Sequence, residues 1–367
     1  IPVLFSCRKI GGQAVGRNKI NFVDLCQGEF GRKTAYTGVD QITPQNVAQV
    51  LSDTIGIHNR NRTLMDYLYR YYKGDQPILY REKLVRPEVN NKVVENHALE
   101  TVKFKAGQIY GEPIQYVCKK KKASEETNEQ VDRLNDYLDE ANADARNIQL
   151  GIYQSAVGTA YKAILREDEW TKDGDLPPFR IFIPSPHDVY IVYSSATGKP
   201  VLSVQILKDE DNQQYYQCYS SRQYFKIQNG SVTESGINGF GGIPIIEYPN
   251  NHDRLSDIEI AITMYDAINK YQSDRLNGVE QFVQALMKFK NCEIDEAEFV
   301  KMIKLGAVSV KDVGNGTQSD VDLMTAELNQ SESQVAKDDI YNNMLIVEAM
   351  PNRQSNTGGD TGNAVYL

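Results

Sequence analysis

Several things are scarce in this chain of 367 residues, and each scarcity excludes something. Positive charge is short: 40 Lys+Arg stand against 49 Asp+Glu, a formal net charge of −9. A globally basic nucleic-acid coat is therefore excluded, and any DNA contact must come from local patches or from geometry. Long apolar runs are missing; no stretch approaches the roughly 18 residues that a membrane helix needs. Cysteine is sparse. Cys7, Cys26, Cys118, Cys218 and Cys292 are odd in number, far apart and without a CxxC pair, so a disulfide framework or a zinc ribbon is not indicated and free thiols are expected. Tryptophan occurs once, whereas tyrosine occurs 22 times against 11 phenylalanines. Tyrosine is half apolar and half polar, which suits surfaces buried on assembly.

Catalytic signatures are missing as well. No GxxxxGK[ST], HExxH or GxSxG pattern occurs. Gly239-Phe240-Gly241-Gly242 and Gly314-Asn315-Gly316 lack the strand–turn–helix setting of a phosphate loop and read as turns. His58, His97, His187 and His252 lie in separate segments with no second histidine at ligand spacing. His97 reads as a packed or interfacial side chain. Asp209-Glu210-Asp211 and Asp173/Asp175 read as solvated hairpin tips. No catalytic residue, metal site or cofactor is expected.

What is present is a sequence of elements. Residues 1–42 are Gly-rich and mixed, with irregular structure or short strands expected. Thr43-Pro44 predicts a helix start, with a first helix to about Thr54 and a second to about Tyr72. Val93–Tyr110 predicts a helix stopped by Gly111 and Pro113, and Ile114–Val117 a strand. The lysine run 119–122 reads as a solvated turn. Thr127-x-x-Gln130 matches a capping box, and Asp144–Ala156 continues as helix up to Gly158. Six β-prone runs then follow, at 161–166, 179–183, 189–193, 201–207, 215–219 and 224–228. Turn residues separate them, among them Thr197-Gly198 and Asn229-Gly230, and an antiparallel meander is expected.

The most diagnostic stretch begins at Ser256-x-x-Glu259, a second capping box. Apolar residues continue at helical spacing without proline to about Leu286, roughly 30 residues or 45 Å. A compact insert comes next: a short helix capped by Asp295, a strand at 306–311, a turn at 314–316 and a return strand at 321–324. A second long helix is expected at about 327–350, ended by Pro351. Residues 352–363 form a polar, Gly-rich loop. The order is rod, small tip, rod, loop, and the two rods are expected to pair as an antiparallel hairpin. Because the chain halts at Leu367 as an apolar run begins, a longer protein is expected to continue beyond it.

Ordered blocks of sequence carry a resemblance. They are Asn91–Asn96; Lys105–Ile114; Gly158–Tyr161; Phe182–Val189; Gly239–Tyr248; Ser256–Glu259; and Tyr265–Asn269. Together they resemble the portal proteins of tailed bacteriophages, specifically those of long non-contractile-tailed phages. The likeness covers about residues 43–367, and residues 1–42 match nothing placeable.

The resemblance implies an α+β subunit with a mixed α/β wing at 43–252, preceded by an extension at 1–42. It implies stem helices at 253–286 and 326–350, a clip at 287–325 between them, and a tunnel loop opening the segment 351–367. The family's crown would follow beyond Leu367. It also implies a ring of about twelve copies at one capsid vertex in the virion, assembled in the host bacterial cytoplasm. Double-stranded DNA would pass through this ring on packaging and ejection. Implied partners are further copies of the chain, a packaging terminase, a head-completion or adaptor protein, the major capsid protein and scaffold, with no membrane. A twelvefold ring would carry a charge on the order of −100, so its channel would make weak, repeated contacts with phosphates instead of holding them. Asn352, Arg353, Gln354 and Asn356 are the candidate channel residues of the loop; the plain alternative is a connector. Lys288, Lys290, Lys301, Lys304 and Lys311 are a candidate docking or channel-lining surface of the tip; the plain alternative is a solvated face. Another head structural protein without a DNA channel is the competing reading.

Overall fold

In the computed structural model the described residues are 20–84, 87–118, 125–166, 177–283, 286–290, 320–324 and 330–352, with isolated positions 297 and 300. Helix α1 (Phe22–Cys26) and strand β1 (Ala35–Thr37) lead into α2 (Val47–Tyr72). Helices α3 (His97–Tyr110), α4 (Glu125–Glu140) and α5 (Ala143–Val157) follow. The β region comprises β2 (Thr159–Arg166), β3 (Phe179–Phe182), β4 (Val189–Ser194), β5 (Pro200–Lys208), β6 (Gln214–Tyr219), β7 (Gln223–Gln228), β8 (Ser231–Ile237) and β9 (Ile245–Pro249). Helix α6 (Asp257–Val283), the strands β10 (Leu286–Lys290) and β11 (Asp320–Met324), and helix α7 (Gln330–Val347) complete it.

The expected meander is present as β4 to β8, but it belongs to a larger arrangement. A six-stranded sheet has the order β1-β4-β5-β6-β7-β8, with β1 parallel to β4 and the other pairs antiparallel. A separate three-stranded sheet has the order β3-β2-β9. Strand β4 is buried on both faces because it lies between layers. Tyr190 and Val192 join the core under α2, while Val189 and Ile191 pack on Tyr161, Ala163 and Ile245 of the small sheet. The continuous apolar run of β4 is what two-sided burial requires. Strand β8, absent from the sequence reading, is polar and exposed along most of its length. It forms because Asn229 and Gly230 both take positive φ (52° and 79°), the turn geometry that folds a strand back on its neighbour.

Four other expectations are corrected. Residues 47–72 form one helix of 26 residues, not two. Its N-terminal half places Val47, Val50 and Leu51 on the sheet, and its C-terminal half places Leu64, Leu68 and Tyr71 in the helical core. A single helix of about 39 Å bridges both cores, and within it the Thr54 hydroxyl bonds back to the Val50 carbonyl at 2.7 Å. Helix α3 begins at His97, capped by Asn96, and 93–96 lies outside it. Residues 114–117 form no strand; Tyr116 is clasped instead by the Asn135 amide of α4, which accepts from its N–H and donates to its carbonyl, both at 3.0 Å. Helix α4 already includes Glu125, so Thr127 lies inside it and is not its cap.

Near the second half of the chain the reading holds in outline. The long helix starts at its capping box and runs through Val283, but Leu286 belongs to β10. The partner of the return strand is therefore Leu286–Lys290. The Asp295-capped helix, the strand at 306–311 and the turn at 314–316 lie outside the described residues apart from helical positions at 297 and 300. Helix α7 is described from Gln330 and ends at Val347, before Pro351. Ala349 takes φ 50°, and Met350 N–H reaches the Leu345 carbonyl at 2.8 Å, a left-handed cap formed without glycine.

Candidate functional site: the paired long helices and their polar seam

Helix α6 starts where the sequence says it should. The Ser256 hydroxyl accepts from Ile258 N–H at 3.0 Å, and the Glu259 carboxylate accepts from Ser256 N–H at 2.7 Å. Glu259 does more than cap. Its other oxygen takes Gly31 N–H at 3.0 Å and the buried guanidinium of Arg32. The N-terminal arm is thereby fastened to the first turn of α6. A second, partly buried pair stands beside it: Arg254 donates to both oxygens of Glu247 at 2.7 and 2.9 Å. Burial drives the Glu247 carboxyl upward, but hydrogen bonds from Arg254, Tyr193 and Thr159 outweigh it and hold the group below the ordinary carboxylate range.

Further along, α6 carries Asn269, Ser273 and Asn277, buried residues spaced four apart. Each accepts a backbone N–H from the extended segment 91–95. Asn269 takes Glu95 N–H at 2.8 Å, Ser273 takes Val93 N–H at 2.9 Å, and Asn277 takes Asn91 N–H at 2.7 Å. Two extended residues rise about 6.6 Å and four helical residues about 6 Å, so alternate N–H groups of the strap meet successive turns of the helix. Asn91 also donates to Glu280 at 2.7 Å. At the end of the strap nearer the start of α6, buried Gln76 bridges to Asn96 at 3.0 Å and accepts from Asn269. These rungs are not among the residues expected from sequence; their signal is a file of small polar residues at i, i+4 and i+8 in an otherwise apolar face.

Helix α7 runs antiparallel to α6. Arg275 donates to Gln334, Lys337 to Gln272 at 3.2 Å, and Tyr265 to Glu348, so position rises on one helix as it falls on the other. Lys337 also binds Glu95 at 2.5 Å, joining the strap to both rods. His97 lies against Tyr341 (ring centroids 4.8 Å) and hydrogen-bonds Glu100 at 3.0 Å and Glu95 at 3.3 Å. Burial works against its charged form, but the two carboxylates prevail and its pKa is raised. His58 and His187, remote in sequence, do meet. The contact is from the His58 ring to the His187 carbonyl at 3.0 Å, and burial pushes His58 down to about 4, as for a packed neutral side chain.

The outward sides of the hairpin are apolar in places. Ile260, Leu276 and Val279 on α6 and Val335, Ile346 and Val347 on α7 are exposed, Ile346 to 74%.

Of the predicted site residues, Asn352 is described: its amide donates to Asn342 of α7 at 2.8 Å, turning the chain back along the helix. Arg353, Gln354 and Asn356 lie outside the described residues, as do Lys301, Lys304 and Lys311. Lys288 and Lys290 fall on β10, opposite Asp322 and Asp320 of β11 in register. Among the described residues no group of His, Cys, Asp and Glu could hold a metal ion, and no helix is long and apolar enough to cross a membrane.

No curated protein matches the chain. Two of the solved structures similar to it come from gene transfer agent particles. One is a chain of the virion of a native gene transfer agent particle, with TM-score 0.43 and 11% identity, covering 82% of this chain and 73% of that one. The other is a chain of the neck of such a particle with C12 symmetry, with TM-score 0.42 and 13% identity, covering 71% of this chain and 66% of that one. The profile described as "Phage portal protein, SPP1 Gp6-like" matches residues 51–365, which take in the β region, both long helices and the strap, and the chain belongs to that family of phage portal proteins.

Proposed function

We propose that this chain is one stave of a closed ring of about twelve copies, the channel for double-stranded DNA at the head-to-tail connection. The portal family is one of structural virion proteins, and the head-to-tail connector role follows from membership. The finer reading is ours: α6 and α7 are the stem, 43–252 the wing, 287–325 the clip, and the loop after Pro351 the part facing the DNA.

The observation that carries it is how the hairpin divides its polarity. Ile258, Ile262, Ile268, Met344 and Leu345 are buried inward and the seam of α6 with the strap is hydrogen-bonded, yet further large apolar side chains on both rods are left to solvent. Apolar residues on two different outward faces suit a heterologous, head-to-tail contact, the kind that closes rings. Lys288 and Lys290 stand in register opposite Asp322 and Asp320, so this part of the clip is mixed in charge and not purely basic. Packaging terminase, adaptor, capsid protein and scaffold are the partners such a ring would engage during assembly in the host cytoplasm.

Electron microscopy with native mass spectrometry of the full-length protein tests this. Rings with a hole wide enough for duplex DNA are expected. Ile346→Asp is expected to leave the far-ultraviolet circular dichroism unchanged and to yield monomers. Wild-type protein that stays monomeric even with coexpressed scaffold would reject the ring and favour a head protein without a channel.

A further inference from the structure

Where α7 ends, one acid is in an unusual position. Glu348 caps the helix and is only 2% exposed. One carboxyl oxygen takes the Tyr265 hydroxyl of α6, while Oε2 is buried with no hydrogen-bond partner among the described residues. With the phenol proton committed to Glu348, the Thr101 hydroxyl of α3 supplies the donor to Tyr265 at 2.9 Å. The three residues thus join α3, α6 and the last turn of α7 in one buried chain.

Directly after it the backbone is hinged. Ala349 sits at φ 50°, a left-handed conformation that L-residues rarely adopt. Met350, 8% exposed, drops its side chain into the helical core, and Asn352 ties back to Asn342. Backbone N–H groups of Glu348, Ala349 and Met350 reach the Met344, Ile346 and Leu345 carbonyls, and Glu348, the Met350 side chain and Asn352 dock this turn on the rest of the fold.

A buried carboxylate needs several donors, and this one has the Tyr265 phenol and a share of the Thr101 hydroxyl, which also bonds Tyr265, while Oε2 has no partner. We propose that Glu348 is a protonation-controlled latch: neutral, it docks the C-terminal turn of α7 onto α3 and α6, and ionised, it favours release of that turn to water. The charged neighbours do not rescue the anion. Asp257 of α6 opposes ionisation, and Lys105 of α3 favours it only weakly beside the effect of burial. Burial, offset in part by the Tyr265 and Thr101 hydroxyls, carries the Glu348 carboxyl up to about 7. The released turn exposes the carboxyl at its ordinary value near 4.5, so docking is tightest below that and weakens as pH rises to 7, then levels. The inference concerns a single chain and stands whether or not rings close.

Hydrogen–deuterium exchange of the full chain, read at the amides of 345–352 from pH 4.5 to 8 and corrected for intrinsic exchange, tests it. The opening equilibrium is expected to rise by about 100-fold between pH 4.5 and 7 and then flatten. Glu348→Gln is expected to abolish this slope, and Asp266→Asn to leave it. Tyr265→Phe, which removes the phenol donor, is expected to increase opening above pH 5 and keeps the test decisive if the glutamine variant fails to fold. A flat wild-type profile, an unchanged slope in Glu348→Gln, or an unaltered Tyr265→Phe would overturn the latch.

Discussion

Gly158 shows how much one residue can be asked to do. It ends α5 at φ 88°, and a Cβ there would lie 2.1 Å from the Arg254 carbonyl oxygen and 3.0 Å from Ser256 N. Both obstacles are backbone at the start of α6, so neither can swing away. Gly158→Ala is expected to cost about 3 kcal/mol, from the left-handed strain plus the displacement of that turn, measurable as a lower urea midpoint. Asp266 makes a different point. Its carboxyl accepts from the Tyr71 hydroxyl at 2.8 Å, but burial still lifts it to about 6. The folded chain therefore keeps a proton that the unfolded chain gives up above its ordinary value near 3.8. The penalty is absent below 3.8, grows as pH rises, and is complete above about 6. Asp266→Asn is expected to stabilise the chain by about 1–2 kcal/mol at pH 7 and by nothing at pH 3.5, read from denaturation at the two pH values.

Among the elements, the strap on α6 has the clearest consequence. Its N–H groups point at side chains buried on α6, so each rung satisfies a partly buried donor. Ser273→Ala leaves Val93 N–H without its acceptor, and a loss of about 1–2 kcal/mol is expected, with faster amide exchange at Val93 than at distant strand β5. Local sequence could not have shown this. Residues 93–96 precede a helix with an ordinary helical composition, and the groups that hold them outside it lie about 180 positions away. Helix α2 teaches the converse lesson. Its middle, Thr54-Ile55-Gly56, looks like a boundary, but burial of one half on the sheet and the other in the helical core keeps it continuous. The capping box of α6 was legible because its partners are three residues apart; the additional grip of Glu259 on Arg32 and Gly31 was not.

For the whole molecule, the acidic balance and the family point the same way. A ring that conducts DNA must touch phosphates without holding them, so single cations should matter more than their number suggests. Arg353, one cation per copy in the polar segment after Pro351, is the residue to test. Arg353→Glu is expected to lower the yield of DNA-filled heads while rings still assemble, counted by electron microscopy of purified particles. Filled heads at the wild-type yield would remove Arg353 from the channel reading.

Sequence alone determined what acts over a few residues. The capped start of α6, the Asn229-Gly230 turn, the two long helices around a tip, and the want of a phosphate loop or a membrane-length apolar run are all local properties. The order of the resembling blocks was enough to indicate the family. Tertiary structure decided what depends on distant partners: the two-sided burial of β4, the pairing of β10 with β11, the strap on Asn269, Ser273 and Asn277, and the isolation of Glu348. A side chain's type sets which bonds it can make, but only the packing of remote segments sets whether water or another residue is there to make them.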